Sequence, residues 1–255
     1  MQDRQRRAQR ILRDDGATYD LKSDPLDPSV WSLDVIPNLI DFREWQHIET
    51  GLAQRSTLFD LILKDIYGEQ TLIKEGVVPA ELIFNHPGFL RQCHGLFAPS
   101  NKQLILHGID MVRDPNGQHI IIGDRTQAPS GAGYALENRG VVSRVIPSIF
   151  RNNQVCRLSN YFQTMRRSLA KLASHRTDTP RIVVLTPGAY SSTYFEHAYL
   201  ANYLGFPLVQ GGDLTVRNGK VWMKSLEGLS QVDVILRRLD DVNCDQAELN
   251  TNSML

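Results

Sequence analysis

Two short apolar, β-branched runs, LILHGIDMV (104–112) and HIII (119–122), flank Asp114-Pro115-Asn116-Gly117. Aspartate suits the first position of a β-turn, proline presets the φ of the second, and glycine supplies a positive φ at the end. Residues 103–124 are therefore expected to pair as an antiparallel hairpin. Farther along the chain the order is different. Arg181–Thr186 reads as a buried strand stopped by Pro187-Gly188, Thr193–Leu204 as a helix ended by Gly205, and Phe206–Val209 as a second strand. Strand, helix and strand at that spacing form a parallel βαβ unit. The chain must then hold both antiparallel and parallel pairing, which makes it a mixed α/β protein.

The remaining segments fit around these two units. Arg4–Arg13 sets its arginines around Ala8, Ile11 and Leu12 and stops at Gly16, as a helix with a solvated basic face. The proline-dotted stretch 23–37 reads as an extended connector. Trp45, Ile48, Leu52, Leu58, Leu61, Ile62 and Ile66 recur at three- and four-residue steps, so two successive amphipathic helices are expected over 41–75, broken at Gly68. Short helical segments are expected near 81–89, 134–144 and 160–173. A second hairpin turns at Asn218-Gly219, and a strand over Val232–Arg237 ends in Arg237-Arg238-Leu239-Asp240-Asp241.

Composition narrows the function classes. With 42% hydrophobic and 22% charged residues, disorder is excluded. Lysine plus arginine (28) equals aspartate plus glutamate (28), so no global field attracts a polyanion or an anionic membrane. No apolar run approaches the roughly 20 residues of a bilayer span. MQDRQRRAQR lacks the apolar core of a secretory signal, and a cytoplasmic location is expected. Cys93, Cys156 and Cys244 lack CxxC spacing and read as reduced packing residues. The histidines have no metal spacing, and His107 reads as a satisfied core histidine.

Three places can carry chemistry. Asp110 sits mid-strand among apolar residues and needs a cation or donors. The following loop, Asp124, Arg125, Thr126, Gln127, Ser130 and the Gly131-Ala132-Gly133 run, offers charges and N–H groups just before a helix, a setting for phosphate or carboxylate or simply a structural turn with one salt bridge. The turn TPGAYSSTYFEH lies beyond the carboxyl end of a parallel strand, where ligands of open α/β sheets dock. Alternatively Ser191, Ser192 or Thr193 merely caps the helix, with Glu196 and His197 in solvent. Alternation sends Arg237 and Arg238 to opposite faces, so one of them, Arg238 by preference, enters a cleft unless the cluster is a surface ion pair. GxGxxG, Walker, serine-hydrolase and cysteine-protease signatures are missing.

Taken together, DIYGEQ, ELIFNHPGFL, HGIDMVRDPNGQ, DRTQAPSGAGYALENR, LTPGAYSSTYFEHAYLA and VDVILRRLDD resemble the circularly permuted ATP-grasp proteins related to glutathionylspermidine synthase. The resemblance implies ATP-dependent ligation, in which a carboxylate is phosphorylated and an amine attacks the acyl phosphate. ATP would lie between two subdomains with Mg²⁺ on its phosphates. Residues 1–175 would form the metal-loop half and 178–247 a Rossmann-like substrate subdomain, with 248–255 a truncated tail. Arg125 and Arg238 would be catalytic, and Asp110 a metal ligand. Arg113, Asp124, Ser130, Gly131, Asn138, Arg139, Tyr194, Glu196, Asp240 and Asp241 would line the nucleotide or its substrates, a small carboxylate with an amine or peptide.

One departure from the family pattern bears on the metal. Gly123 and Arg125 stand where the family places a Glu and an Asn that hold Mg²⁺. Without a bulge Asp124 points away from the face they share. Arg125 would then replace the cation, pairing with Asp110 or with a bound anion. The family chain also continues past the position of Leu255 with its lid and ATP-binding lysines, so a truncated scaffold is expected, its partner the missing C-terminal segment or another chain. The competing expectation is a non-catalytic binding or assembly module; a polynucleotide binder is disfavoured by the zero net charge.

Overall fold

The computed structural model of the protein describes residues 1–19, 29–97, 102–240 and 243–244. Its helices and strands follow as α1 (Gln2–Asp14), α2 (Phe42–Ile66), α3 (Thr71–Lys74), α4 (Ala80–Phe84), β1 (Gly108–Arg113), β2 (His119–Arg125), α5 (Ala132–Val145), α6 (Pro147–Asn152), α7 (Ser159–Lys171), β3 (Ile182–Leu185), α8 (Tyr194–Leu204), β4 (Leu208–Val209), β5 (Leu214–Arg217), β6 (Lys220–Ser225), β7 (Gly228–Gln231) and β8 (Val234–Arg237). β1 and β2 form an antiparallel pair, β4–β3–β8 a parallel sheet, and β5–β6–β7 an antiparallel one. The fold is mixed α/β, as expected. Two compact units emerge, one from the described residues of 1–38, 130–239 and 243–244, the other from those of 39–129 with Asp240. In the first unit the N-terminal segment supplies core to the helices after 130.

In the first unit, Ala8 and Leu12 of α1 are fully buried with Ala17, Val35, Val141, Val145 and Ile146. The arginines of α1 are exposed, so the basic face is solvated. The expected connector does more than connect. Thr18 bridges Val30, and Trp31 stacks on Tyr134 at 4.3 Å while donating its indole N–H to Asn138 Oδ1 at 2.8 Å. The βαβ unit forms as expected: every residue of β3 is buried, Gly205 closes α8 at φ 71°, and β4 runs parallel to β3. β8 lies on the other side of β3, also parallel. Asn218 and Gly219, at φ 53° and 68°, make the two-residue turn of β5–β6. β7 extends that hairpin; its GLSQ lacks an apolar alternation that would announce it.

In the second unit, Asp41 caps α2 by accepting from the N–H of Arg43 at 2.9 Å. The β1–β2 turn closes through Gly117 N to Asp114 O at 2.9 Å and Gln118 N to Asp114 Oδ1 at 2.7 Å. Asp110 pairs with Gly123 but Met111 pairs with Ile121, so Ile122 is an extra residue in β2, a bulge. The face carrying Met111, Ile121 and Asp124 meets α2, which is tied down by Arg55 to Asp124 and by Glu44 to Arg113. Along this face runs a groove of about 1080 Å³ lined by Ile48, Leu52, Leu58, Leu61, Met111 and Ile121.

The helical stripe on α2 is real, but it does not make a core. Among the described residues of this unit Ile48 is the one hydrophobic side chain that is buried, while Trp45, Leu58 and Leu61 are exposed. At about 24 cal/mol per Å³, an empty interior void of that size would cost more than the whole stability of a domain, about 5–15 kcal/mol. The space is therefore an open groove. Asp60, buried and absent from the sequence expectations, accepts from the N–H groups of Gln103 (2.7 Å) and Leu104 (3.0 Å) and lies 3.3 Å from Lys64. Burial alone would raise its pKa; the two amides and the lysine outweigh that and hold it below the usual carboxylate range.

Candidate functional site

The outer face of the β1–β2 hairpin brings together the residues that strand counting singles out. Asp110 stands opposite Gly123, and Arg125 opposite Gly108, all on one face. Arg125 donates from Nε to Asp110 Oδ2 at 2.9 Å, and both side chains are open to solvent, 62% and 44% exposed. Val112 and Ile120, also exposed, continue the same face. A Cβ at Gly123 would lie 3.5 Å from Asp110 Oδ2, so the small residue leaves the carboxylate uncrowded.

Asp124 points the other way, as alternation requires. Arg55 grips it with two hydrogen bonds of 2.7 and 2.5 Å, and His107 Nε2 lies 3.0 Å away. The Arg55 guanidinium, outweighing partial burial, holds the Asp124 carboxyl below its ordinary pKa, with His107 assisting. His107 also meets Ser56 Oγ through Nδ1 at 2.8 Å, so it is a satisfied, buried histidine. Arg113 pairs with Glu44, likewise on the α2 side. In the structure Asp124 and Arg113 lie on the α2 side of the hairpin, and Asp110 and Arg125 on its outer face, since side chains alternate along each strand.

A second cluster lies within the first unit. Glu196, fully buried on α8, accepts at Oε1 from the N–H groups of Gly131 (2.7 Å) and Gly133 (2.8 Å), while its Oε2 is 3.5 Å from Arg238 Nη2. The glycine loop ahead of α5 does hold a carboxylate, but one from its own chain, at a helix N-terminus where anions are favoured. A Cβ at Gly133 would approach Glu196 Cγ to 2.7 Å, which explains that glycine. Arg238, only 4% exposed, follows β8 and donates its N–H to Leu185 O at 2.9 Å. Burial lowers its pKa and Glu196 opposes the shift. The alternatives that left Glu196 and His197 in solvent, or the Arg237–Asp241 cluster on the surface, do not hold for Glu196, His197 and Arg238, because all three are buried.

The other expected residues are distributed over α5, α8 and the loops. Asn138 accepts at Oδ1 from Trp31 and Arg139 Nη1 donates to Cys156 O at 2.7 Å. Tyr194 is half-buried at the start of α8, Ser130 and Asp240 are exposed, and Asp241 lies outside the described residues. Thr193 occupies the N-cap position of α8 without a side-chain cap bond. Of the cysteines Cys244 is buried and Cys156 exposed, so packing does not describe all three. No helix is long and apolar enough to cross a membrane among the described residues.

His197 supplies a test of this cluster. Its Nδ1 lies 2.9 Å from Thr186 Oγ1 and its Nε2 3.1 Å from Thr193 Oγ1. Burial, reinforced by the charge of Arg238, pushes its pKa down from 6.5 to about 3. Below about pH 6.5 the unfolded chain takes up a proton that the folded chain refuses, so stability present above that pH is lost as the pH falls, by roughly 1.4 kcal/mol per unit. Between pH 7 and 5 urea unfolding should show the wild type losing about 2 kcal/mol more than His197→Gln. Equal losses in the two proteins contradict a buried neutral imidazole.

The profile of the family described as circularly permuted ATP-grasp type 2 matches residues 37–255. An uncharacterised protein of Mycobacterium tuberculosis H37Rv, Rv2567, is 42% identical over 254 residues, covering 96% of this chain and 29% of its own length. Another from the same organism, Rv2411c, is 37% identical over 246 residues, covering 96% of this chain and 44% of its own. The uncharacterised sll0335 of Synechocystis is 38% identical over 226 residues, covering 89% and 47%. The chain thus spans less than half the length of these relatives.

Proposed function

Because the chain belongs to the circularly permuted ATP-grasp type 2 family, an ATP-dependent ligase scaffold, we propose that it takes part in joining a carboxylate to an amine through an acyl phosphate, as in glutathionylspermidine synthase-like chemistry. The observation that carries the reading is the contact of Arg125 with Asp110 on the open face of the hairpin. A guanidinium there offers up to five donors to phosphate or acyl phosphate oxygens. Asp110 orients it in the free protein and yields to a polyphosphate of higher charge. Tyr194, half-buried at the start of α8, is proposed to contact the acceptor substrate, with Arg238 acting behind it through Glu196.

ATP-grasp proteins generally use Mg²⁺ with ATP. The hairpin residues do not fit that ion: Gly123 has no donor, Arg125 is a cation, and Asp110, the remaining carboxylate of that face, is engaged by Arg125. Among the described residues no three His, Cys, Asp or Glu side chains group as metal donors. Six oxygen ligands in near-octahedral array are what Mg²⁺ requires. No step is assigned to the metal at this hairpin.

Thermal melts with ATP, with and without Mg²⁺, test the proposal. A nucleotide at 100 times its Kd adds about 2.7 kcal/mol of stability. ATP should stabilise the wild type without Mg²⁺, and Arg125→Ala should abolish most of that gain. The exposed Asp110–Arg125 pair is worth at most about 1 kcal/mol, so the ligand-free melting temperature should hardly move. Undiminished ATP stabilisation in Arg125→Ala overturns the role of Arg125. The same loss of metal donors favours a second reading, a module that binds but does not turn over; trapping an acyl phosphate with hydroxylamine separates them, since such a module yields no hydroxamate.

A further inference from the structure

We propose that two motifs without a task at the hairpin, DIYGEQ (65–70) and ELIFNHPGFL (81–90), build a pocket for a single-ring aromatic carboxylate that carries a hydroxyl or N–H donor on its ring. Between them and the turn that follows lies a cavity of about 250 Å³, lined by Gln70, Phe84, Phe89, Arg91 and His94. Pockets for larger organic ligands span roughly 300–1,000 Å³, so this one suits a single ring with a short substituent.

The walls are held in place from behind. Tyr67 stacks on Phe89 at 5.2 Å between centroids, and Phe84 meets Phe89 edge-on at 5.4 Å. The Tyr67 hydroxyl accepts from Leu90 N at 3.3 Å and Tyr67 O from Gly95 N at 2.7 Å, which fastens the second motif to the first. Asp65 accepts from the N–H groups of Thr71 (2.8 Å) and Leu72 (3.0 Å), fixing the turn in which Gln70 takes φ 57°. That left-handed conformation is disfavoured outside glycine and collects at functional sites. A glycine would adopt it without strain, so what glutamine adds at position 70 is a side chain.

The polar groups define the ligand. Gln70 donates from Nε2 to Ile66 O at 3.2 Å, which leaves its Oε1 to accept. His94 Nε2 lies 2.8 Å from Gly68 O; a carbonyl only accepts, so Nε2 carries the proton and Nδ1 of the neutral ring is a second acceptor. Arg91, exposed, lies over the Phe84 ring at 5.8 Å and pairs with no carboxylate among the described residues. Two acceptors, one guanidinium and two rings call for a donor, an anion and a flat apolar body in one small molecule. One cation matches one negative charge, so a carboxylate suits the pocket better than a phosphate dianion. Binding there needs no ATP, and the inference stands apart from the proposed ligase chemistry.

Backbone amide shifts measured by NMR at neutral pH test the pocket, with para-hydroxybenzoate as the probe and phenol and cyclohexanecarboxylate as controls. The probe should shift amides of 67–72 and 84–95 saturably and bind at least about tenfold more tightly than either control, since one lacks the charge and the other the ring and its hydroxyl. Arg91→Gln should weaken binding of the probe about tenfold or more, the worth of a hydrogen bond to a charged group. Gln70→Gly should weaken it about fivefold while melting no lower than the wild type, because the left-handed turn then carries no strain. Neither substitution touches Arg125, so the ATP melts report on the ligase reading separately. No saturable shift with the probe, shifts confined to other parts of the chain, equal affinity for the controls, or undiminished binding in either variant overturns the proposal.

Discussion

A chain beginning at residue 37, where the family match starts, will not reach the fold of the first unit. Residues before that point bury Ala8, Leu12, Ala17 and Val35 against Val141, Val145 and Ile146. Trp31 covers Tyr134, and Tyr134 in turn donates its hydroxyl to Thr18 O at 2.7 Å. Replacing one fully buried leucine by alanine costs about 2–5 kcal/mol. Leu12→Ala should therefore remove a large part of a typical total of about 5–15 kcal/mol, and deleting the whole segment should exceed it. Urea unfolding followed by far-UV circular dichroism checks both. A cooperative transition in the truncated chain, at the midpoint of the intact one, would show that the segment is an appendage and not core.

Glu196→Ala should cost about 3–5 kcal/mol, the usual penalty for breaking a buried charge pair. The variant removes the acceptor of the Gly131 and Gly133 amides together with the carboxylate that faces Arg238. Gly133→Ala should cost about 1–3 kcal/mol by overpacking, since its new methyl would sit 2.7 Å from Glu196 Cγ. The two changes are coupled. Without the Glu196 side chain the methyl at 133 has no clash, so the double variant should lose less than the sum of the single losses. Strict additivity in denaturation midpoints would contradict the geometry of the loop.

These two results bear on what residue order reveals and what it conceals. The hairpin was legible because its turn chemistry is local, and so was the opposition of Arg125 and Asp124, which follows from counting along one strand; which of the two shares the face of Asp110 depends on the bulge at Ile122, which has no local signature. The seat of Glu196 on the glycine loop was not legible. It joins residues 63 and 65 positions apart, and a glycine needed by a neighbouring side chain looks in sequence like a glycine needed by a phosphate. Asp60 was missed for a similar reason: its partners are amides at 103 and 104, which carry no compositional signal. Periodicity found the apolar stripe of α2 but could not say whether anything fills the space beside it, because a helix bears the same pattern before and after its partner arrives.

Ile122 gives the hairpin a consequence that reaches beyond shape. Were the ladder regular outward from the turn, Asp110 would face Ile122, Asp124 would emerge beside Asp110, and Arg125 would turn beneath α2. A one-residue slip thus turns a net-neutral acid–base couple on the open face into two acids able to grip a hard cation.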